Sequence, residues 1–418
     1  MRTSAPTQIS GDACVGVATS RPQIKSSGFV GLKKVISMPF TIPLPTLPPT
    51  RVQRMRRTRA LRLTLAVLLP TLFLLVFRLL RGSKPLMNWL ITYVTTPIKR
   101  FVSFLCDPLP FSMAEVCWTA AILALILFLG RSVWLIARRE GKLARLGRRC
   151  VALASAGLTL YSCYTLMWGI NYYGDSFSAR SGLAARGATP QELYSLTLAF
   201  VHAANKYSGQ VLRDEDGLFA EEQDDLFTRS QGIYDGIVEE FPFLDAPERT
   251  PKSMVYARLM SWMGFTGFFF PFTGEANLNT DPPDCLLPAT ILHEMAHQRN
   301  IAAEQECNFI AILGGLRSDD PAYRYSSALM GYIHLSNALY LADYDLWYQA
   351  AVTLNEAVRA DIDSNNEYWR QFDSPAEDAA KAVYDGFLQS HDQELGMKSY
   401  GACVDLLVAY YFDWEREI

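Results

Sequence analysis

Residues 289–308 read ATILHEMAHQRNIAAEQECN, and the order of side chains in this stretch decides how the rest of the chain is read. His293, Glu294 and His297 stand as H-E-x-x-H. On a helix, positions i and i+4 share a face, so both imidazoles can hold one metal ion while the glutamate reaches a water on it. Pro288 suits a first helical turn, where its missing N–H costs nothing. Ala289–Gln298 contains no helix breaker. Asn300 accepts the left-handed conformation better than most residues, so the helix is expected to end and turn there.

The turn decides the third ligand. On one straight helix Glu304 would lie about 16 Å along the axis from His293, too far to share an ion. If the chain reverses at Asn300 and a second helix starts near Ala302, Glu304 swings back. Two imidazoles and one carboxylate leave a coordination position open, as catalytic rather than structural zinc requires. Glu294 is then the general base that deprotonates water and passes the proton to a leaving amine. Asn308, one turn after Glu304, is placed to hold a ligand histidine from behind. Glu306 competes with Glu304, and the position of Asn308 favours Glu304. Cys307 reads as a small core residue. His334 is a candidate for steadying a transition-state oxyanion, against a plain structural role. His202 and His391 carry no signal.

The surroundings assign this site to one half of a divided chain. Of 418 residues, half are hydrophobic and the mean hydropathy is +0.06, high for a protein wholly in water. Residues 1–170 hold 23 Lys/Arg and 4 Asp/Glu; residues 171–418 hold 16 and 38. The basic charges flank apolar runs, which points to membrane topology and away from nucleic acid. Eight scattered cysteines form no C-x-x-C pair, which excludes a disulfide framework and a Cys-type zinc site.

Residues 1–59 read as a disordered, basic leader, rich in Ser, Thr, Gly and Pro, without the apolar core of a signal peptide. Residues 60–173 read as a membrane region with three helices, near 61–80, 114–136 and 150–170. Pro70 is a possible kink, and Ser112-x-x-Glu115 has the form of a capping box. The stretch 87–106 is split by Pro97, Lys99 and Arg100 and reads as interfacial, re-entrant or poorly ordered. Trp168, Tyr172 and Tyr173 suit an interfacial aromatic belt. Basic segments before the first span and between the second and third place both in the cytoplasm, so residues 174–418 are expected outside it. Helical periodicity recurs at 193–207, 219–240, 252–263, 321–342, 344–365, 375–390 and 404–414. Thr189-Pro-Gln-Glu192 is a second cap signature. One strand-like stretch, 266–275, carries Phe268–Phe272, either as core or as an edge able to pair with an extended substrate backbone.

The string HEMAHQRNIAAEQECN resembles the core of the bacterial membrane-protein family called domain of unknown function 3810. Further pieces resemble it too: LPFSMAE (109–115), WGINYY (168–173), FTGEAN (272–277) and SYGACVDLLVAYY (399–411). Asn300 stands where the family usually has Gly, and Cys307 where it has Ala. The resemblance covers roughly residues 60–415 and implies a membrane part followed by a zincin-like domain, with no substrate. The step from Glu304 to Asn308 is also similar to the E-x-x-A-D of membrane-bound gluzincin peptidases, which implies Glu304 as ligand. The expected fold is therefore mainly α: transmembrane helices, then a mostly helical zincin-like domain of gluzincin type with a small β element, residues 174–418. The expected function is a membrane-anchored zinc (Zn2+) metallopeptidase, with membrane lipid and a peptide or protein substrate as partners. The alternatives are an inactive metal-binding sensor and a structural envelope protein.

Overall fold

The computed structural model describes residues 51–138, 140–372, 382 and 400–416. The expectations for residues 1–50, the helix at 375–390 and His391 lie outside these.

Helix α1 (Arg51–Leu80) is followed by α2 (Lys84–Leu90), a π turn (Ile91–Thr95) and α3 (Thr96–Cys106), then α4 (Met113–Arg138) and α5 (Lys142–Met167). Leu61–Leu80, Met113–Arg138 and Lys142–Met167 are long and apolar enough to cross a membrane. The third begins eight residues before the expected 150, because Lys142, Arg145, Arg148 and Arg149 continue the helix instead of preceding it. The stretch 87–106 is ordered and helical, not broken by its proline: Pro97, second in α3, comes just after the π turn, whose widened backbone accommodates a residue without an N–H.

Pro70 removes the N–H that would pair with the carbonyl of Ala66 one turn back. Ser155 on α5 fills that place, its Oγ donating to Ala66 O at 2.9 Å. Ser162 Oγ reaches Pro70 O at 3.4 Å one turn further on, so α1 and α5 run parallel. In an apolar surrounding such a bond takes the place of an exposed carbonyl.

After a 3-10 turn (Gly169–Tyr173) and α6 (Phe177–Ser181) come α7 (Pro190–Ser208), α8 (Gln223–Arg229) and α9 (Asp235–Val238). The α7 capping box is present: Thr189 Oγ1 accepts from Glu192 N at 3.2 Å and Glu192 accepts from Thr189 N at 2.8 Å. A three-stranded sheet of order β1-β3-β2 is made by β1 (Lys252–Ser253), β2 (Gly267–Phe270) and β3 (Glu275–Leu278), with α10 (Ala257–Trp262) between β1 and β2. The helix read over 252–263 is thus β1 followed by a shorter helix, because Lys252 and Ser253 pair in parallel with Asn277 and Leu278. Then follow α11 (Leu287–Gln298), α12 (Glu304–Arg317), α13 (Pro321–Ala342), α14 (Tyr344–Ala351), α15 (Glu356–Arg370) and α16 (Tyr400–Val408). Where one helix was read over 344–365, a break before Asn355 makes two: Asn355 Oδ1 accepts from Val358 N and caps a new helix. α7, α11, α12, α13 and α16 pack together around Phe200, Phe309, Tyr323, Tyr325 and Leu407.

The domain grips the helix ends through the sheet. Glu275 on β3 accepts from the backbone N–H of Met113 (3.1 Å) and Ala114 (2.9 Å), at the start of α4. Ser112 Oγ donates to Asn277 Oδ1 at 2.6 Å. The expected Ser112–Glu115 box is only half made. Ser112 Oγ accepts from Glu115 N, but the Glu115 carboxylate turns to Val255 N (3.1 Å) and Tyr256 N (2.7 Å). Lys252 Nζ bonds the carbonyls of Asp107 and Leu109. Residues Met55–Ile418 accordingly form one compact unit.

Because Ser155 substitutes for the N–H missing at Pro70, the two substitutions should couple. Ser155→Ala is expected to cost about 1 kcal/mol in the parent and nearly nothing in a Pro70→Ala background. Equal costs in both, measured by unfolding in detergent, would contradict the substitution.

Candidate metal centre

Pro288 enters the first turn of α11, and Ala289 N donates to Ser326 Oγ (3.0 Å) on α13, which ties down that end. The other end is closed by three bonds. Asn300 N donates to His297 O (3.0 Å), Ile301 N to Ala296 O (3.3 Å), and Arg299 Nη1 to Met295 O (3.2 Å). Asn300 takes φ 67°, the left-handed value that a short amide side chain tolerates. Its side chain is held as well: Nδ2 donates to Thr96 Oγ1 at 3.0 Å and Oδ1 accepts from Lys99 Nζ, both on α3.

The reversal carries α12 back alongside α11. Glu304 Oε2 lies 3.1 Å from His293 Nε2 and 3.6 Å from His297 Nε2. On the far side of the rings, His293 Nδ1 lies 2.7 Å from Asn308 Oδ1, and His297 Nδ1 lies 2.8 Å from the carbonyl of Ile301. Both Nδ1 atoms can therefore donate outward, and in that tautomer Nε2 presents its lone pair inward. In that tautomer two nitrogen lone pairs and a carboxylate oxygen converge, a donor set that fits a cation.

Cys307 is also close: its Sγ can join His293 and His297 with all ligand atoms within 4.8 Å of one another. The sulfur sits 3.3 Å from His297 Nδ1, the nitrogen already committed to Ile301 O, and burial pushes its thiol well above the usual range. A neutral thiol behind the ring is a poor ligand. Glu306 is not brought to the histidines at all. It faces the opposite way and accepts from Phe177 N (2.9 Å) and Ser178 N (3.3 Å), capping α6.

Glu294 is buried, and its Oε2 has no hydrogen-bond partner among the described residues. Burial, reinforced by Glu304 and opposed by His293, pushes its carboxyl up to about 8. Burial also raises Glu304, but the His297 and His293 rings outweigh it and hold that carboxyl well below the ordinary range. For His297 burial acts downward, and Glu304 more than reverses it. Gly267, at the head of β2, is required by Glu294: a Cβ there would meet Glu294 Oε1 at 2.7 Å and Cγ at 2.9 Å.

A cavity of about 310 Å³ opens over these groups. β2 is an edge strand, and Phe268 and Phe269 on it line the wall. So do Tyr164, Trp168 and Tyr172, from the end of α5 and the turn after it, which the sequence reading assigned to a lipid belt or left aside. Trp168 is buried and packs edge-on against His297, with centroids 5.4 Å apart, and against Phe269 at 5.0 Å. The one available signal was its immediate succession to a span in a six-residue family motif. Tyr173, read into the same belt, packs on Phe77 and on Arg81, at and just after the end of α1. His334, offered for an oxyanion, does not line the cavity; burial, reinforced by His293, lowers it to about 4.

Membrane-length helices, a mostly helical domain and a cluster of His293, His297 and Cys307 beside a buried glutamate together define a membrane-associated protein with a candidate metal centre. The chain belongs to the family described as Protein of unknown function (DUF3810), which matches residues 91–408. No curated protein and no solved structure matches it.

Two outcomes test this geometry. Glu304→Gln should lose bound metal by elemental analysis of the purified full chain, whereas Glu306→Gln should keep it and lose about 1 kcal/mol of stability with the α6 cap. The reverse pattern would transfer the ligand role to Glu306. His334, near 4 when folded against 6.5 as its ordinary value, stays neutral in the fold while the unfolded chain takes up a proton. Stability from this group is complete above pH 6.5 and lost as pH falls towards 4. His334→Gln should therefore flatten the fall of Tm across that window; an unchanged slope contradicts the assignment.

Proposed function

We propose that this protein is a membrane-anchored zinc metallopeptidase with a zincin-like domain of gluzincin type. The observation that carries the reading is the convergence of His293 Nε2, His297 Nε2 and Glu304 Oε2 beside the unpartnered Oε2 of Glu294. Those three residues would hold zinc, which would supply a Lewis acid at the cavity floor to lower the pKa of water and polarise a carbonyl.

The rest falls to the chain. An extended peptide pairs with the free edge of β2, which brings its scissile carbonyl over Glu294. As the carboxylate, the form that a cation held beside it would favour against burial, Glu294 takes a proton from the attacking water at Oε2 as the C–O bond forms. It returns that proton to the amine nitrogen as the C–N bond breaks. Asn308 and Ile301 O keep the two imidazoles in the Nδ1–H tautomer. Tyr172, which lines the cavity and is kept a neutral phenol by burial and by the Glu304 charge, is the donor for the developing oxyanion in place of His334. The basic loop between α4 and α5 and the basic start of α1 favour the cytoplasmic side, which puts the cavity outside it.

The test is the full chain, metal-loaded, against a peptide library. Glu294→Gln should retain metal and lose about 10²–10⁴-fold in kcat/KM, the usual share of a general base. Tyr172→Phe should lower kcat by about 10²–10³-fold, as removal of one oxyanion donor does elsewhere. Cleavage by Glu294→Gln at the parent rate would contradict the mechanism. A metal-loaded parent that cleaves nothing would favour the sensor reading.

A further inference from the structure

The helical connection α2–π turn–α3 has its polarity inside out. Its buried positions are Met87, Thr95, Lys99, Ser103 and Cys106, mostly polar, and they face the domain. Its large exposed side chains are mostly apolar, namely Trp89, Tyr93, Ile98, Phe101, Phe104 and Leu105, while the exposed Arg100 turns its head back to Asp245 O. Phe101 is 63% exposed while Lys99 is 5% exposed. A surface helix in water shows the opposite arrangement.

A second element repeats this. Val255, Leu259 and Trp262, on and just before α10, are more than half exposed, Val255 at 83%. Their level is fixed by α4, because Tyr256 OH lies 3.1 Å from Thr119 Oγ1. Thr119 is six residues into that helix, about 9 Å from its start at 1.5 Å per residue. The 26 residues of α4 reach about 39 Å, roughly 4–5 Å longer at each end than a 30 Å hydrocarbon core. Thr119 thus lies about 4–5 Å inside the hydrocarbon, while Glu115, which holds Val255 N and Tyr256 N, lies about 1–2 Å outside it, so α10 starts at the border.

Both elements are continuous with membrane-length helices: α2 and α3 join α1 to α4, and α10 is bonded to α4. Both also border the candidate centre. Thr96 and Lys99 hold the Asn300 turn, and Met263–Phe268, directly after α10, line the cavity. Tyr164, still within α5, lines it from below.

We propose that α2, α3 and α10 form a lipid-contacting collar that sets the mouth of the cavity at the bilayer surface. The substrate class that fits this placement is the membrane-adjacent segment of an anchored polypeptide; that second part rests on the peptidase reading. A segment emerging from lipid meets the aromatic wall and the β2 edge without first crossing the bulk of the domain.

The test uses the full chain in phospholipid nanodiscs, with the photo-cross-linker p-benzoylphenylalanine at Phe101 or at Leu259. Leu127, on the apolar middle of α4, is the lipid reference, and Leu341, exposed at the end of α13, is the water reference. Phospholipid adducts at 101 and 259 should approach the yield at 127 and exceed that at 341 at least tenfold. Yields equal to that at 341, or adducts to polypeptide instead, including residues 373–399 of the same chain, would overturn the collar. This readout needs no catalysis, so it stands or falls apart from the peptidase reading. Where the parent cleaves, a peptide carrying a transmembrane anchor should be cut at least tenfold faster than the same peptide free in solution. Equal rates would overturn the delivery route.

Discussion

One backbone conformation, the left-handed turn at Asn300, holds the site together. It follows the end of α11 at Gln298 and its cap Arg299, and sends Glu304 to within 3.1 Å of His293, where a straight helix would carry it about 16 Å away. The same turn presents the carbonyl of Ile301 to His297 Nδ1, so it fixes a ring tautomer as well as a ligand position. A non-glycine residue at φ 67° carries some strain, and here the side chain offsets it by bonding Thr96 and Lys99 on α3. Asparagine in place of glycine thus ties the site to the connection between the first two membrane-length helices.

That tie is one of several between the domain and the helix ends. Glu275 caps α4, Ser112 bonds Asn277, Glu115 reaches back to the strand-to-helix loop before α10, and Trp168 packs on His297. The motif pieces SMAE, WGIN and GEAN, far apart in sequence, meet in one layer between the apolar helices and the centre. Buried carboxylates that accept backbone N–H bonds give this layer direction and rigidity. The domain is therefore built onto the helices and does not hang from a linker.

Much of this was legible in the chain. The membrane-length helices follow from length and apolarity, the α7 capping box from Thr189 and Glu192, and the pairing of His293, His297 and Glu304 from helical spacing plus one residue tolerant of a left-handed turn. The failures have a common physical source. Sequence periodicity reports local geometry, whereas the Glu115 carboxylate, β1 and the aromatic cavity wall depend on partners more than 100 residues away or on pairing across a sheet. Glu306 and Glu304 are equivalent by composition. Only the direction each faces on α12 separates a helix cap from a group beside the imidazoles. The helical stretch 84–106 read ambiguously because its apolar face points away from the protein, which inverts the usual rule for amphipathic helices.

The central claim is that His293, His297 and Glu304 form the metal centre and that Cys307 stands behind it. X-ray absorption at the zinc edge of the purified full chain tests this most directly. The account predicts one zinc per chain with a nitrogen and oxygen shell at about 2.0–2.1 Å, imidazole scattering from two rings, and no sulfur. A sulfur shell at about 2.3 Å would place Cys307 on the metal and contradict the arrangement, as would a chain that binds no zinc.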